Sequence, residues 1–322
     1  MRIMVSGGAG FIGSNFVHYW TEQHPGDTVV VYDKLTYAGN PANLVGLDVE
    51  MVIGDITDTE HLTRALRAAR ADCLINFAAE SDNSRAVRDA RPFAVSNVLG
   101  AQSLCEAALR SEVPRVHHVS TCEVFGDLAL DDPSAFTEDS PYRPNTPYAA
   151  SKAGADHFVL AYGRTHGLAV TISRSANNYG PRQYPEKNPP LFITDALRGR
   201  RMTLYTNHHY RREWMAVADH AAALDLILRN GAAGRTYNIG TGDERSAMDM
   251  ALFVARTLGL DREQAIRIVA DRPGHDRRYL LDSSAVRAEL GWAPSTPFAQ
   301  GMAATVRWYQ QNAEWWEPLA AR

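Results

Sequence analysis

Tyr148 and Lys152 stand four residues apart in Tyr148-Ala149-Ala150-Ser151-Lys152, a spacing that sets both side chains on one helical face. A lysine so placed depresses the pKa of the phenol and can hold the ribose of a nicotinamide nucleotide. The tyrosinate then takes the proton of a hydroxyl group as hydride leaves the same carbon. Spacing alone also fits a surface pair, so the reading leans on what lies upstream. Residues 116–120 read as a strand that runs into Ser120-Thr121-Cys122-Glu123-Val124-Phe125-Gly126, a hydroxyl, a thiol and a carboxylate side by side.

Hydride chemistry needs a nucleotide, and the N-terminus has the pattern to bind one. Arg2-Ile3-Met4-Val5-Ser6 is a short apolar strand followed by Gly7-Gly8-Ala9-Gly10-Phe11-Ile12-Gly13 and then by a helical pattern with Ile12, Phe16, Val17 and Trp20 on one face. Gly7, Gly10 and Gly13 let backbone amides and a helix N-terminus approach a pyrophosphate. The second strand, Val29-Val30-Val31-Tyr32, ends at Asp33, placed to hydrogen-bond a ribose 2′-hydroxyl, which favours NAD over NADP. No arginine directly follows Asp33, although Lys34 does.

Strand-like runs at 29–32, 51–53, 73–77, 116–120 and 169–173 alternate with helical patterns at 12–23, 59–70, 92–111 and 147–166. That alternation implies an α/β fold: a parallel Rossmann sheet with helices on both faces. After about residue 180 the chain turns to proline-rich and arginine-rich loops around mixed helices. The expected division is an NAD-binding domain over 1–178, with a return near 217–242, and a smaller C-terminal α/β substrate-binding lobe over 179–322. At 322 residues there is room for both. A net charge of −4 and the lack of basic stripes disfavour nucleic acid, so an anionic substrate must be held by local positive groups. Cys73, Cys105 and Cys122 are odd in number and lack metal-ligand spacing, which argues for free thiols in a reducing compartment; Cys73 and Cys105 are expected in the core. The absence of a long apolar run and a strand that starts at residue 2 make the cytoplasm the expected location, away from any membrane.

Together these residues resemble the extended short-chain dehydrogenase/reductase superfamily, and within it the dTDP-glucose 4,6-dehydratases. The segments that carry the resemblance include Lys34-Leu35-Thr36-Tyr37-Ala38-Gly39-Asn40, Gly54-Asp55-Ile56, Phe77-Ala78-Ala79-Glu80-Ser81, Asn177-Asn178-Tyr179-Gly180-Pro181, Pro185-Glu186-Lys187, Arg212-Glu213-Trp214, Asn238-Ile239-Gly240 and Arg272-Pro273-Gly274-His275-Asp276-Arg277-Arg278-Tyr279. In that family NAD oxidises a nucleotide sugar at carbon 4, a glutamate removes the proton at carbon 5, and an acid protonates the hydroxyl leaving carbon 6. The stored hydride then returns to carbon 6. The resemblance implies Tyr148 as oxidation base, Lys152 as its partner, Thr121 as donor to the carbon-4 oxygen and Glu123 as carbon-5 base. It also implies cofactor contacts from Phe11, Ile12, Lys34, Asp55, Ile56, Ala78 and Ala79. Ser81, Asp82, Arg85, Asn178 and Lys187 are then expected to face a dTDP- or UDP-hexose. So are Asn238 and the phosphate candidates Arg212, Arg272 and Arg278. A homodimer packed through the helices at 92–111 and 147–166 is expected as well.

Three places depart from the family pattern. Cys122 stands where the family has aspartic acid; a thiol with an ordinary pKa near 8.5 is protonated at neutral pH and can still serve as acid. The Ser-Thr-Cys-Glu run also resembles the tunicamycin-pathway 5,6-dehydratase, which returns hydride to carbon 4 and leaves an exocyclic alkene. A buried structural thiol, an inactive site and an engineered substitution are further readings of Cys122. In Ser81-Asp82-Asn83-Ser84-Arg85 the family would have His-Val-Asp between serine and arginine. Tyr205-Thr206-Asn207-His208-His209-Tyr210-Arg211 replaces a glycine-rich stretch; the adjacent His208 and His209 cannot share one helix face, and no metal is expected. A 4-epimerase would use the same tyrosine and lysine but has no use for Glu123, and a non-catalytic NAD-binding regulator has no need of Thr121, Glu123, Tyr148 and Lys152 together.

Overall fold

The computed structural model describes residues 1–270 and 276–320, and its main sheet has seven strands, all parallel. Across the sheet they run Thr236–Ile239, Val170–Ser175, Val116–Thr121, Cys73–Asn76, Arg2–Ser6, Thr28–Asp33 and Glu50–Ile53. The order reverses between Arg2–Ser6 and Cys73–Asn76, and a crevice opens at such a reversal, outside the carboxyl ends of the strands. The strands expected from the sequence are all present and differ from expectation only at their ends.

Successive side chains on a strand point to opposite faces, so a strand covered on both sides must be apolar throughout. Ile3, Val5, Val29 and Val31 pack on one side beneath the helices Phe11–Gln23 and Val217–Asn230; Met4, Val30 and Tyr32 pack on the other beneath Thr59–Ala69, Gly100–Arg110 and Pro147–His166. Cys73 and Cys105 are buried in these two cores. The helix expected over 92–111 is broken into Arg91–Phe93, a π-helical segment Ala94–Leu99 and Gly100–Arg110. The wider turn sets Asn97 where its amide accepts from the Glu80 N–H and donates to the Glu80 carbonyl and to Ser151.

A second core gathers Tyr179, Phe192, Met202, Trp214, Met250, Met302 and Tyr309, all from beyond the sixth sheet strand. Its strands form a small mixed sheet centred on Arg211–Ala216, with Asn177–Tyr179 and Arg278–Tyr279 parallel to it and Glu244–Ser246 antiparallel, and a separate parallel pair, Met202–Tyr205 with Ile266–Val269. Between visits to this lobe the chain returns to the large sheet through Val217–Asn230 and Thr236–Ile239, and again through Val286 and Trp292. Among the described residues no helix is long and apolar enough to cross a membrane.

Candidate active site

The glycine turn ends the first strand at the sheet's reversal point. Gly7 has φ +74°, and a Cβ there would lie 2.4 Å from the Ala78 nitrogen; a Cβ on Gly13 would lie 2.3 Å from the Gly7 carbonyl oxygen. Only hydrogen fits at either place, so the helix Phe11–Gln23 starts flush against the turn. Asp33 fastens the turn from the neighbouring strand: its carboxylate accepts from the Ala9 N–H at 2.9 Å and the Leu35 N–H at 2.8 Å. Burial pushes its carboxyl up while these backbone bonds pull it back.

Gly7, Gly10, Phe11, Ile12 and Gly13 line one end of a cavity of about 670 Å³. A smaller pocket of about 100 Å³ shares Gly7, Gly10 and Ala79 with it and is walled by Asp33, Lys34, Asp55, Ile56 and Ala78. Lys34 pairs with Asp55 at 2.5 Å. The residues present fit a dinucleotide: a glycine cradle at a helix N-terminus, an acid on the adjoining strand, and a buried Ser120 hydroxyl on the cavity wall with no hydrogen-bond partner among the described residues.

Farther along the same cavity lie Thr121, Glu123, Tyr148 and Lys152. The strand Val116–Thr121 ends in a 3₁₀ turn, Cys122–Phe125, whose Glu123 N–H donates to Thr121 Oγ1. Tyr148 and Lys152 enter on the helix Pro147–His166, started by Pro147 and capped by Thr146, which accepts from the Ala149 N–H. Lys152 is buried. It donates to the Val119 carbonyl at 2.8 Å and lies 3.2 Å from His118 Nε2, and burial lowers its pKa from 10.5 to about 8. Tyr148 moves the other way: burial and then the Glu123 charge raise the phenol, and its hydrogen bond with Thr121 lowers it. Lys152 and Tyr148 line the same cavity as the spacing predicts; the ammonium bonds the strand's Val119 carbonyl, and the hydrogen bond with Thr121 is what favours the phenolate here.

Burial and the nearby Asp276 push the Glu123 carboxyl up, while the Asn83 amide, Arg212 and Lys187 pull it back. Cys122 is fully buried among Phe125, Ala153, Tyr279 and Leu281 and is not on the cavity wall. Burial holds its thiol protonated, well above the ordinary value.

Ser81, Asp82, Asn178, Lys187 and Arg212 also line the cavity. Lys187 donates to the Ser81 carbonyl at 2.9 Å, tying two loops together over it. Arg212 stacks on Tyr279 at 4.8 Å. Asn178 reaches the wall with its amide already engaged by the Ala176 carbonyl and His220. Three expectations fail. Arg85 is off the wall, paired with Glu80 at 3.0 Å and stacked on Tyr37. Arg278 is buried in a two-pronged bond to Glu244, at 2.6 and 2.9 Å, and so has no fork left for phosphate. Asn238 is buried on the seventh strand, where its amide donates to the Phe136 carbonyl. Arg272 lies outside the described residues. Sequence reasoning passed over Asn83, Asp276 and Tyr279 as wall residues, along with Tyr37 and Tyr184, which also line the cavity and pack edge to face on one another.

A doubly wound parallel sheet with a glycine turn at its reversal point, and a tyrosine, lysine and hydroxyl converging beyond it, defines an extended short-chain dehydrogenase/reductase. The pattern of the GDP-mannose 4,6 dehydratase family matches residues 4–305, and the chain belongs to that family. It is 45% identical to the dTDP-glucose 4,6-dehydratase of Mycobacterium tuberculosis over 99% of this chain and 96% of that one. It is 44% identical to a dTDP-glucose 4,6-dehydratase of Streptomyces niveus with the same coverage. Among solved structures, the dTDP-glucose 4,6-dehydratase of Streptomyces venezuelae with NAD and TYD bound superposes with a TM-score of 0.94 at 47% identity, covering 99% of this chain and 100% of that one.

Proposed function

We infer that this chain is an NAD-dependent nucleotide-sugar dehydratase, a hydro-lyase that converts a dTDP-hexose to its 4-keto-6-deoxy product. The observation that carries the reading is the convergence of Thr121, Glu123, Tyr148 and Lys152 on the same cavity as the glycine turn. When bound, NAD supplies the acceptor, and later the donor, of one hydride. Gly7, Gly10, Phe11, Ile12 and Gly13 would hold its pyrophosphate end, Asp33, Asp55, Ile56, Ala78 and Ala79 its adenosine, and Lys152 its nicotinamide ribose.

Tyr148, in the phenolate form that the Thr121 hydroxyl favours by donating to it, takes the proton of the carbon-4 hydroxyl. A ketone at carbon 4 acidifies the neighbouring carbon-5 proton, and Glu123 removes it. Arg212 and Lys187 are the cations on the wall that match a diphosphate. Two groups can protonate the hydroxyl that leaves carbon 6. Cys122 has the proton at every working pH but sits behind the wall; Asp276 is on the wall near Glu123 and serves as acid only in its protonated form. Cys122→Ala and Asp276→Asn separate them, since only the variant lacking the true acid accumulates oxidised sugar without losing water. A homodimer is supported by Val95, Leu99 and Phe158, large apolar side chains exposed on the helices expected to pair.

The test is to incubate the protein with dTDP-glucose and follow the sugar by mass spectrometry. Loss of one water without added reductant is the expected result. An epimerised sugar of unchanged mass would overturn the reading.

A further inference from the structure

The loop in which three residues depart from the family pattern also supplies a hydrogen bond to the base. Asn83 opens the short helix Asn83–Arg88, whose first turn is fixed by Asp82 accepting from the Ser84 and Arg85 N–H groups at 2.8 and 3.2 Å. Its side-chain Nδ2 donates to Glu123 Oε2 at 2.9 Å, and its Oδ1 accepts from the Thr146 hydroxyl at 2.8 Å. Thr146 Oγ1 in turn accepts from the Ala149 N–H at 3.1 Å, so the hydroxyl proton is free to be given to Asn83. An ionised carboxylate can only accept, so the amide sets its NH₂ toward Glu123 and its oxygen toward the Thr146 hydroxyl. The valine of the family pattern could make neither bond.

We propose that Asn83 is the positioning residue of the carbon-5 base: it holds Glu123 ionised and in one orientation, and it ties that orientation to the cap of the helix that carries Tyr148 and Lys152. A hydrogen bond to the charged form of a carboxylate favours that form, and one to a charged group carries more weight than a neutral one. Glu123 needs the help. Burial and Asp276 both oppose its charge, Arg212 and Lys187 favour it, and Cys122, Tyr148 and Tyr279 surround it as neutral neighbours. The Asn83 amide is the partner that touches the carboxylate directly. The inference rests on Glu123 being the base of the proposed dehydration.

The experiment compares the pH dependence of kcat on dTDP-glucose for the intact protein, Asn83→Leu and Asn83→Asp, with Glu123→Gln as reference. Leucine keeps the branching and the number of heavy atoms and removes the donor; aspartate keeps the shape and adds a like charge. The acidic limb of the profile is expected to move up by about one to two pH units in Asn83→Leu and farther in Asn83→Asp. KM and the rate of nicotinamide reduction in a single turnover should change by less than about threefold, because neither depends on the carbon-5 base. An acidic limb that stays in place in both variants, or a loss shared equally by oxidation and elimination, would overturn the proposal. If instead Glu123→Gln eliminates water at the normal rate, the assignment of the base itself is wrong, and the two failures are thereby distinguished.

Discussion

Around the glycine turn the cavity wall is backbone held against backbone; around Glu123 it is side chain held by side chain. At the first, Gly7 abuts Ala78, Gly13 abuts Gly7, and the Asp33 carboxylate is fixed by main-chain N–H groups on each oxygen, with acceptor sites left for the cofactor. At the second, Glu123 takes its bond from Asn83, Asn83 from Thr146, and Lys187 reaches across to the Ser81 carbonyl. A wall of backbone admits almost no substitution, which suits a cofactor common to many reactions. A wall of side chains can be retuned one residue at a time, and all three departures from the family pattern fall at this cavity: Ser81–Arg85 and Tyr205–Arg211 contribute to its wall and Cys122 lies behind it.

The largest test of this contrast is on the side-chain wall. Glu123→Gln should lower the dehydration rate by about 10² to 10⁴ while nicotinamide reduction on mixing with dTDP-glucose persists, a split that stopped-flow absorbance resolves. On the backbone wall the damage should fall on binding and stability instead. Gly13→Ala must displace the Gly7 carbonyl, and denaturant titration should show a loss of about 1–3 kcal/mol together with weakened NAD binding by calorimetry.

The third test concerns the buried cation between the two walls. The Lys152 pKa falls from 10.5 to about 8 on folding. Between those values the unfolded chain binds a proton that the native chain lacks, so stability without cofactor should rise with pH across this window. Below about 8 the whole penalty, on the order of 3 kcal/mol at most, is in force. Lys152→Met should abolish the rise, as read by thermal melts from pH 7.5 to 10.5 taken against the intact protein. The smallest effect is expected from Lys34→Ala, which removes an exposed pair with Asp55 and should change stability by less than about 1 kcal/mol.

The backbone wall was legible in the sequence because its causes are local. Glycine spacing, the strand before it and the acid ending the next strand all lie within the first 33 residues, and the Tyr148–Lys152 spacing is set within one helix. What was missed depends on partners distant in the chain. Nothing near Arg278 announces that Glu244 will take both prongs of its guanidinium, and nothing near Asn238 announces the Phe136 carbonyl. Asn83 was visible as a departure, but its meaning needed Glu123, forty residues away, to be brought within 2.9 Å. The Cys122 thiol was judged by chemistry alone, and the 3₁₀ turn decides where it points.

The central claim is that one cavity oxidises, dehydrates and reduces the same sugar. It is tested most directly with dTDP-glucose carrying deuterium at carbon 4, the product being read by NMR. Deuterium at carbon 6 of a 4-keto-6-deoxy sugar is the expected result; deuterium still on carbon 4 beside an exocyclic alkene, or on carbon 4 of an epimer, would contradict it.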